Sequence, residues 1–268
     1  MQEINRISGL GTRSIPPSSR PYAGQVQNQL LASLPPAAFD CLRPYLTLVP
    51  LRQRQLLQEP HLSMTHAYFP EQGVASLLLK PRGEGVLEMA VIARMGIVGV
   101  PIILGTMRSP HRCVVVIPGE ALRISAGDLQ RAMRECEGLR HRLLAFVQAV
   151  MIQNSHVAAC NTRHRLEHRL ARWLLVARDR IDDDRLPVTH DLLGRMLGVR
   201  RAGVTVALGM LEKAGIVQGC RGCLTILDRE RLREASCGCH RAISAEYDRL
   251  LIGFACVAEP APNVYALR

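Results

Sequence analysis

The spacing of apolar residues along the chain changes character twice. From Leu46 to Ala126 they fall in short runs, separated by turn formers such as Pro81-Arg-Gly-Glu-Gly85 and Pro118-Gly119. Such runs predict strands at 46–51, 67–69, 74–79, 86–92, 97–100, 112–117 and 121–125. Seven or eight short strands at this spacing predict a closed or rolled all-β domain. Short helices are expected ahead of it, at 28–33 and 36–43, broken by Pro35 and Pro44. Another is expected after it, at 127–136, capped by Ser125 or Asp128.

Beyond Leu139 the period becomes helical. Leu139, Leu143, Phe146, Val150, Gln153 and Val157 are spaced 4, 3, 4, 3 and 4, a coiled-coil seam that predicts a paired helix. Gln153 is the polar position that would set its register. A flanking stripe of Leu144, Val147, Met151 and Ala158 is then expected to pack on the β domain of the same chain. Asn161-Thr162 is read as the end of this helix. The next, at 163–181, buries Leu166, Leu170, Trp173, Leu174 and Ala177 and carries Arg165, Arg169, Arg172 and Arg178 on its other face.

Two short helical patterns follow. Thr189 can cap the first, which buries Leu192, Leu193, Met196 and Leu197, and Gly198 supplies the tight turn after it. The second buries Val204, Ala207, Leu208 and Leu211 at i, i+3, i+4 and i+7. Its opposite face carries Arg201, Ala202, Thr205, Val206 and Gly209, with Arg200 at its start. This is a helix-turn-helix. Apolar pairs on either side of Gly219-Cys220-Arg221-Gly222 add a β-hairpin, so the motif is winged. Arg201 is positioned to read a guanine, Thr205 and Val206 to meet thymine methyls, and Thr189, His190 and Arg221 to hold phosphates. Arg200 suits either role. Helices are expected again at 229–235 and 243–251.

Charge supports an anionic partner without choosing one. The net charge is +11, and all 34 basic residues are arginine except Lys80 and Lys213. No apolar run approaches the roughly 18 residues of a membrane helix, and no signal-peptide pattern opens the chain. The 9 cysteines are expected to be reduced thiols in a cytoplasm.

Rolled β domain, long helix and winged helix, in that order, resemble the Crp/Fnr family of bacterial transcription regulators. The resemblance spans roughly residues 28–235 and is most specific in RLARWLL at 169–175 and LPVTHDLLGRMLGVRRAGVTVAL at 186–208. AYFPEQGVASLL at 67–78 looks like one branch of the family. The resemblance implies an α+β protein in five parts. These are a disordered arm at 1–24, a cyclic-nucleotide-binding-like β-roll sensor at 25–136 and a dimerisation helix at 137–160. A winged helix-turn-helix at 161–235 and a helical extension at 236–268 complete it. It further implies a homodimer on palindromic, double-stranded promoter DNA, with RNA polymerase as partner, no cofactor, no membrane and no catalysis. Where cyclic-nucleotide binders carry a Gly-Glu-Leu cassette, this chain reads Val98-Gly-Val-Pro101, and Arg112 is followed by Cys113 instead of a hydroxyl residue. The nucleotide pocket is therefore expected to be degenerate and its effector is not identified. Iron–sulfur members use N-terminal cysteines, of which only Cys41 is present. The family's usual DNA-reading glutamate and second arginine are Ala202 and Val206 here.

Two other constellations carry chemistry. Cys220, Cys223, Cys237 and Cys239 have the residue types of a zinc or redox site, which would make a metal- or redox-responsive regulator. Against it, Cys237 and Cys239 are expected in one helix, where residues two apart do not share a face. His61, His66 and Glu71 would be the ligands of a metal-dependent β-barrel enzyme with an appended binding module, but they read as loop residues.

Overall fold

The computed structural model describes residues 26–80, 87–181 and 183–252. The expected arm at 1–24 and the turn at 81–85 lie outside the described residues. At the N-terminal end, α1 (Gln29–Ala32) is capped by Asn28, whose Oδ1 accepts the Leu31 N–H at 3.1 Å. The Asn28 amide donates in turn to the carbonyls of Pro70 and Gly96, both at 3.0 Å. Buried Glu71 accepts the backbone N–H groups of Gln27 and Asn28 at 2.6 and 3.1 Å. Burial pushes this carboxyl above its usual range, and the two N–H bonds oppose that shift. A second short helix, α2 (Pro36–Leu42), starts on a proline at its first position, where no N–H is needed.

Five strands form one antiparallel sheet among the described residues: β1 (Thr47–Leu51), β2 (Leu56–Gln58), β3 (His66–Leu79), β4 (Leu87–Ile92) and β5 (Arg112–Ser125). Their order is β1-β5-β3-β4, with β2 also on β5. The four central strands expected from the sequence are two long ones, paired from His66↔Ser125 to Leu78↔Arg112. They look broken because both bend at one place. Register slips between Pro70 and Ala75 mark β-bulges, which bend and twist a strand. Gly73 sits there at φ 84°. A Cβ on Gly119 would lie 2.3 Å from the Gln72 carbonyl oxygen, so the two backbones touch where glycine alone permits it. The strand expected at 97–100 is instead a single bridge from Val98 to Tyr68, followed by α3 (Val100–Ile103).

Ser125 ends β5 and caps α4 (Ala126–Glu135), accepting the Asp128 N–H at 3.0 Å. Then α5 runs from Glu137 to Arg163, about 40 Å long, past the expected break at Asn161-Thr162. Among the described residues, α5 is long and apolar enough by length and composition to cross a membrane, with a mean hydropathy of 1.4 over its apolar window, where no such run was expected. Its apolar side is instead committed to the protein core. Leu139, Leu143 and Phe146 are buried against the roll, Gln153 is buried with them, and Val150 and Val157 are half-buried. The flanking stripe is reversed as well. Leu144 and Met151 are 38% and 65% exposed, and Ala158 is exposed, while Val147 alone of that stripe is buried.

The second core is built by α6 (Leu166–Ile181), β6 (Arg185–Leu186), α7 (His190–Leu197), α8 (Arg201–Lys213), β7 (Val217–Cys220), β8 (Cys223–Ile226) and α9 (Arg229–Ala235). The chain then doubles back. Ile243 and Tyr247 of α10 (Cys239–Tyr247), with Leu250 and Leu251, belong to the first core. Tyr247 meets Phe146 edge-on at 6.5 Å, and buried Arg142 donates to the Leu251 carbonyl.

Candidate nucleic-acid interface

Local chemistry builds the helix pair as the sequence predicts. Thr189 Oγ1 accepts the Leu192 N–H at 3.2 Å and so starts α7. Gly198 ends it in the left-handed region, φ 64°. The turn closes tightly: Val199 N–H reaches the Gly194 carbonyl at 2.9 Å. A Cβ on Gly194 would stand 3.0 Å from the Val199 carbonyl oxygen. On α8, Val204, Ala207, Leu208 and Leu211 are buried. Arg200, Arg201, Ala202, Thr205 and Val206 are exposed, Val206 to 61%.

Beside this face stands the wing. Strands β7 and β8 pair with a two-residue turn of Arg221 and Gly222, and β6 extends them into a three-stranded sheet. Gly222 takes φ 77°, and Arg221 is exposed at the tip. Glu212 of α8 accepts the Gly219 N–H at 2.8 Å and holds the wing to the helix. A cleft of about 220 Å³ runs between them, with Thr189, His190 and Arg201 on one side and Gly219 and Gly222 on the other.

Two polar contacts set the state of the exposed side chains. Arg201 lies 3.7 Å from Asp191, both side chains well exposed, so the pair is weak and easily exchanged for another anion. Thr205 Oγ1 donates to the Arg201 carbonyl at 3.2 Å. With its one proton so used, it accepts at 2.9 Å from His190 Nδ1, which fixes that ring's tautomer. The Thr205 hydroxyl is therefore engaged within the helix pair, while the side chain as a whole stays exposed.

The arginines of α6 divide. Arg165, just ahead of the helix, is exposed as expected, but Arg172 within it is buried. Arg169 donates to Asn161 Oδ1 at 3.1 Å and to the Leu197 carbonyl, joining the end of α5 to the negative end of α7. Sequence reasoning missed that link, Asp191 and Glu212; only the occurrence of Arg169 inside RLARWLL signalled the first. Asp179 gathers Arg229 at 2.9 Å and His240 at 3.2 Å. Burial pushes its carboxyl up, but the His240 bond and the Arg229 and Arg178 charges outweigh burial and hold it below the usual range.

The other two constellations come apart. Cys220 and Cys223 are joined by a disulfide across the wing turn, Cα atoms 5.0 Å apart, where reduced thiols were expected. They do not gather with Cys237 and Cys239. Cys237 also precedes α10 instead of lying within it. Glu71 is committed to backbone N–H groups, and His66 Nδ1 pairs with Thr65 Oγ1 at 2.9 Å. His61 lies in a loop at φ 62°.

Residues 168–235 match the family model of the Crp-like helix-turn-helix domain. The fold as a whole is similar to FixK2 from Bradyrhizobium japonicum, at TM-score 0.64 and 15% identity, over 72% of this chain and 98% of that one. It is also similar to the c-di-GMP-responsive global regulator CLP of Xanthomonas campestris, at 0.59 and 13%, over 71% and 98%. A putative cAMP-binding regulatory protein from Silicibacter pomeroyi aligns at 0.58 and 21%, over 78% and 97%. No curated protein sequence matches the chain. The chain therefore shares the fold of these Crp/Fnr-type solved structures, and its residues 168–235 are similar to the Crp-like helix-turn-helix domain.

Proposed function

We propose that the protein is a cytoplasmic transcription regulator that docks as a homodimer on a palindromic promoter site and acts on RNA polymerase there. The observation that carries this reading is the outer face of α8. An exposed arginine at its first turn is followed by exposed methyl-bearing residues, and the adjoining wing carries an exposed arginine at its tip. Each α8 of the dimer enters a major groove, the two about one helical turn apart, roughly 34 Å. Arg201 donates two hydrogen bonds to guanine O6 and N7, worth about 1–3 kcal/mol of discrimination. Ala202, Thr205 and Val206 line the groove, Arg200 serves base or phosphate, and Thr189, His190 and Arg221 hold the backbone.

Binding to a panel of single-base operator variants at fixed salt tests these roles. Arg201→Ala is expected to flatten the preference at one guanine per half-site. His190→Ala and Arg221→Ala should weaken all sequences alike and reduce the salt slope. An equal loss on every variant for Arg201→Ala would reduce it to a phosphate contact.

The second copy docks on the exposed stripe of α5. Leu144, Met151 and Ala158 are exposed and recur every seven residues, with exposed polar Gln148 and Ser155 between them. This stripe replaces Leu139, Leu143, Phe146, Val150, Gln153 and Val157, whose surfaces are largely taken up by their own chain.

The sensor pocket is degenerate toward cyclic nucleotides. Arg112 is exposed and paired with Glu59 at 3.4 Å, and Cys113 after it is fully buried. The space between β4, α5 and α10 is about 70 Å³, lined by Ile97, Phe146, Val150 and Tyr247. Ligand pockets run from about 300 Å³ upward, so a nucleotide does not fit in this space. Calorimetry with millimolar cyclic AMP is expected to give no saturable heat; micromolar binding would place a pocket elsewhere in the roll.

A further inference from the structure

Three sulfurs and one imidazole converge where the long helix ends. Cys160 and His164 stand one turn apart at the C-terminal end of α5, so both face the same way. Cys237 lies in the short connection between α9 and α10, and Cys239 opens α10, with Gly238 turning the chain between them. That turn brings together two thiols that a continuous helix would have pointed apart. The Sγ atoms of Cys160 and Cys237 are 3.4 Å apart, and Cys239 Sγ is 3.7 Å from His164 Nδ1. All four ligand atoms lie within 4.8 Å of one another.

Those separations match a tetrahedron around one ion. With zinc–sulfur bonds near 2.3 Å and zinc–nitrogen bonds near 2.05 Å, the edges are about 3.8 Å between sulfurs and about 3.6 Å from sulfur to nitrogen. The geometry points to a single zinc ion bound by Cys160, His164, Cys237 and Cys239. A disulfide between Cys160 and Cys237 would use two of the four groups and leave Cys239 and His164 without a role. An iron–sulfur cluster holds its ligand sulfurs on outer corners, farther apart than these.

Charge supports the assignment. Three thiolates and a neutral imidazole around a divalent ion leave one negative charge, which cannot be buried without a partner. Arg172 is buried with its charge close to Cys160, and its Nε has no hydrogen-bond partner among the described residues. The guanidinium is thus the balancing charge and the second-shell donor such sites carry. Cys160 and Cys237 are buried, Cys239 less so, and His164 is partly exposed, so the ion enters from the His164 side. On binding, each of three thiols releases its proton to solvent and gives a sulfur lone pair to the ion. Because the thiols must lose their protons to bind, affinity rises with pH.

The position gives the ion a structural task. Leu232 of α9 belongs to the DNA-binding core, and Ile243 of α10 belongs to the roll core. A zinc ion here fastens the connection between those helices to the end of α5, beside the α5–α6 junction.

The test is a titration of the reduced, metal-free full-length protein with cobalt(II), a coloured stand-in for zinc. One equivalent is expected to produce sulfur-to-cobalt charge-transfer absorption and the intense visible bands of a tetrahedral site. One equivalent of zinc should then abolish both. Cys160→Ser and Cys237→Ser are expected to lose the spectrum, whereas the Cys220→Ser/Cys223→Ser double variant keeps it. To guard against variants that fail to fold, alkylation of the wild-type protein is mapped with and without zinc. Protection confined to Cys160, Cys237 and Cys239 supports the site. Absence of saturable metal binding, a spectrum that disappears with the wing pair, or equal alkylation in both conditions overturns it.

Discussion

The Leu144→Glu/Met151→Glu double variant is expected to sediment as a monomer while keeping a folded far-UV spectrum and near-normal thermal stability. Both side chains are exposed within their own chain, 38% and 65%, and surface changes of this kind rarely move stability by more than about 0.5 kcal/mol. In the proposed dimer they face a second α5, and the substitution buries four carboxylates against one another at a cost of several kcal/mol. Loss of the second half raises the dissociation constant for a palindromic site, since linked modules gain about 10²–10⁴ in avidity. Band-shift titration of the same variant reads this directly. The opposite face is the control. Phe146→Glu puts a charge into the chain's own core and should destabilise the N-terminal domain itself. A double variant that still sediments as a dimer moves the interface off this stripe.

Gly119→Ala is expected to be the most damaging single methyl group in the roll. The new Cβ would lie 2.3 Å from the Gln72 oxygen, 2.4 Å from its carbonyl carbon and 2.6 Å from the Gly73 nitrogen. All three are backbone atoms, so relief requires β3 and β5 to part where both bend. A loss of about 4 kcal/mol or more follows, in the class of large effects that come from overpacking or forced backbone change. Urea unfolding measures it. Gly127→Ala is the matched control: it lies in α4 with nothing within 4 Å of the added carbon, and should gain about 0.5–1 kcal/mol of helix propensity. If the two variants unfold at the same urea concentration, the corner is softer than its geometry implies.

The helix-turn-helix was readable because its determinants are local. A threonine cap, a left-handed glycine and apolar residues at helical spacing specify it within about two dozen positions, and each acts on its neighbours. The strands were counted wrongly for a physical reason. Gly73 and the Pro118-Gly119 pair have turn chemistry, but here they bend long strands that continue on the far side. On α5 the sequence holds one full apolar seam and a second row of Leu144, Met151 and Ala158 one heptad apart, and periodicity does not say which one meets the chain's own sheet. What decides it is the return of Tyr247 and Leu251 from about a hundred residues downstream, which no local pattern records. The four-residue step from Cys160 to His164 carried no signal, because the helix was expected to end between them at Asn161-Thr162, whereas it runs on to Arg163. Cys160 and Cys237 are separated by 77 positions and meet only once α10 has folded back.

That folding back has a consequence for synthesis. The first core is not closed by the first part of the chain, since Ile243, Tyr247, Leu250 and Leu251 are among its buried members. During translation the winged helix, whose core lies within residues 170–232, is complete and outside the ribosome before the roll is. The order of assembly is therefore inverted relative to the order of the chain, and the roll waits with an apolar face uncovered. A stop codon placed after α9 would leave the DNA-binding half whole and that face open, so such a truncation falls on the N-terminal half, far from the cut in sequence.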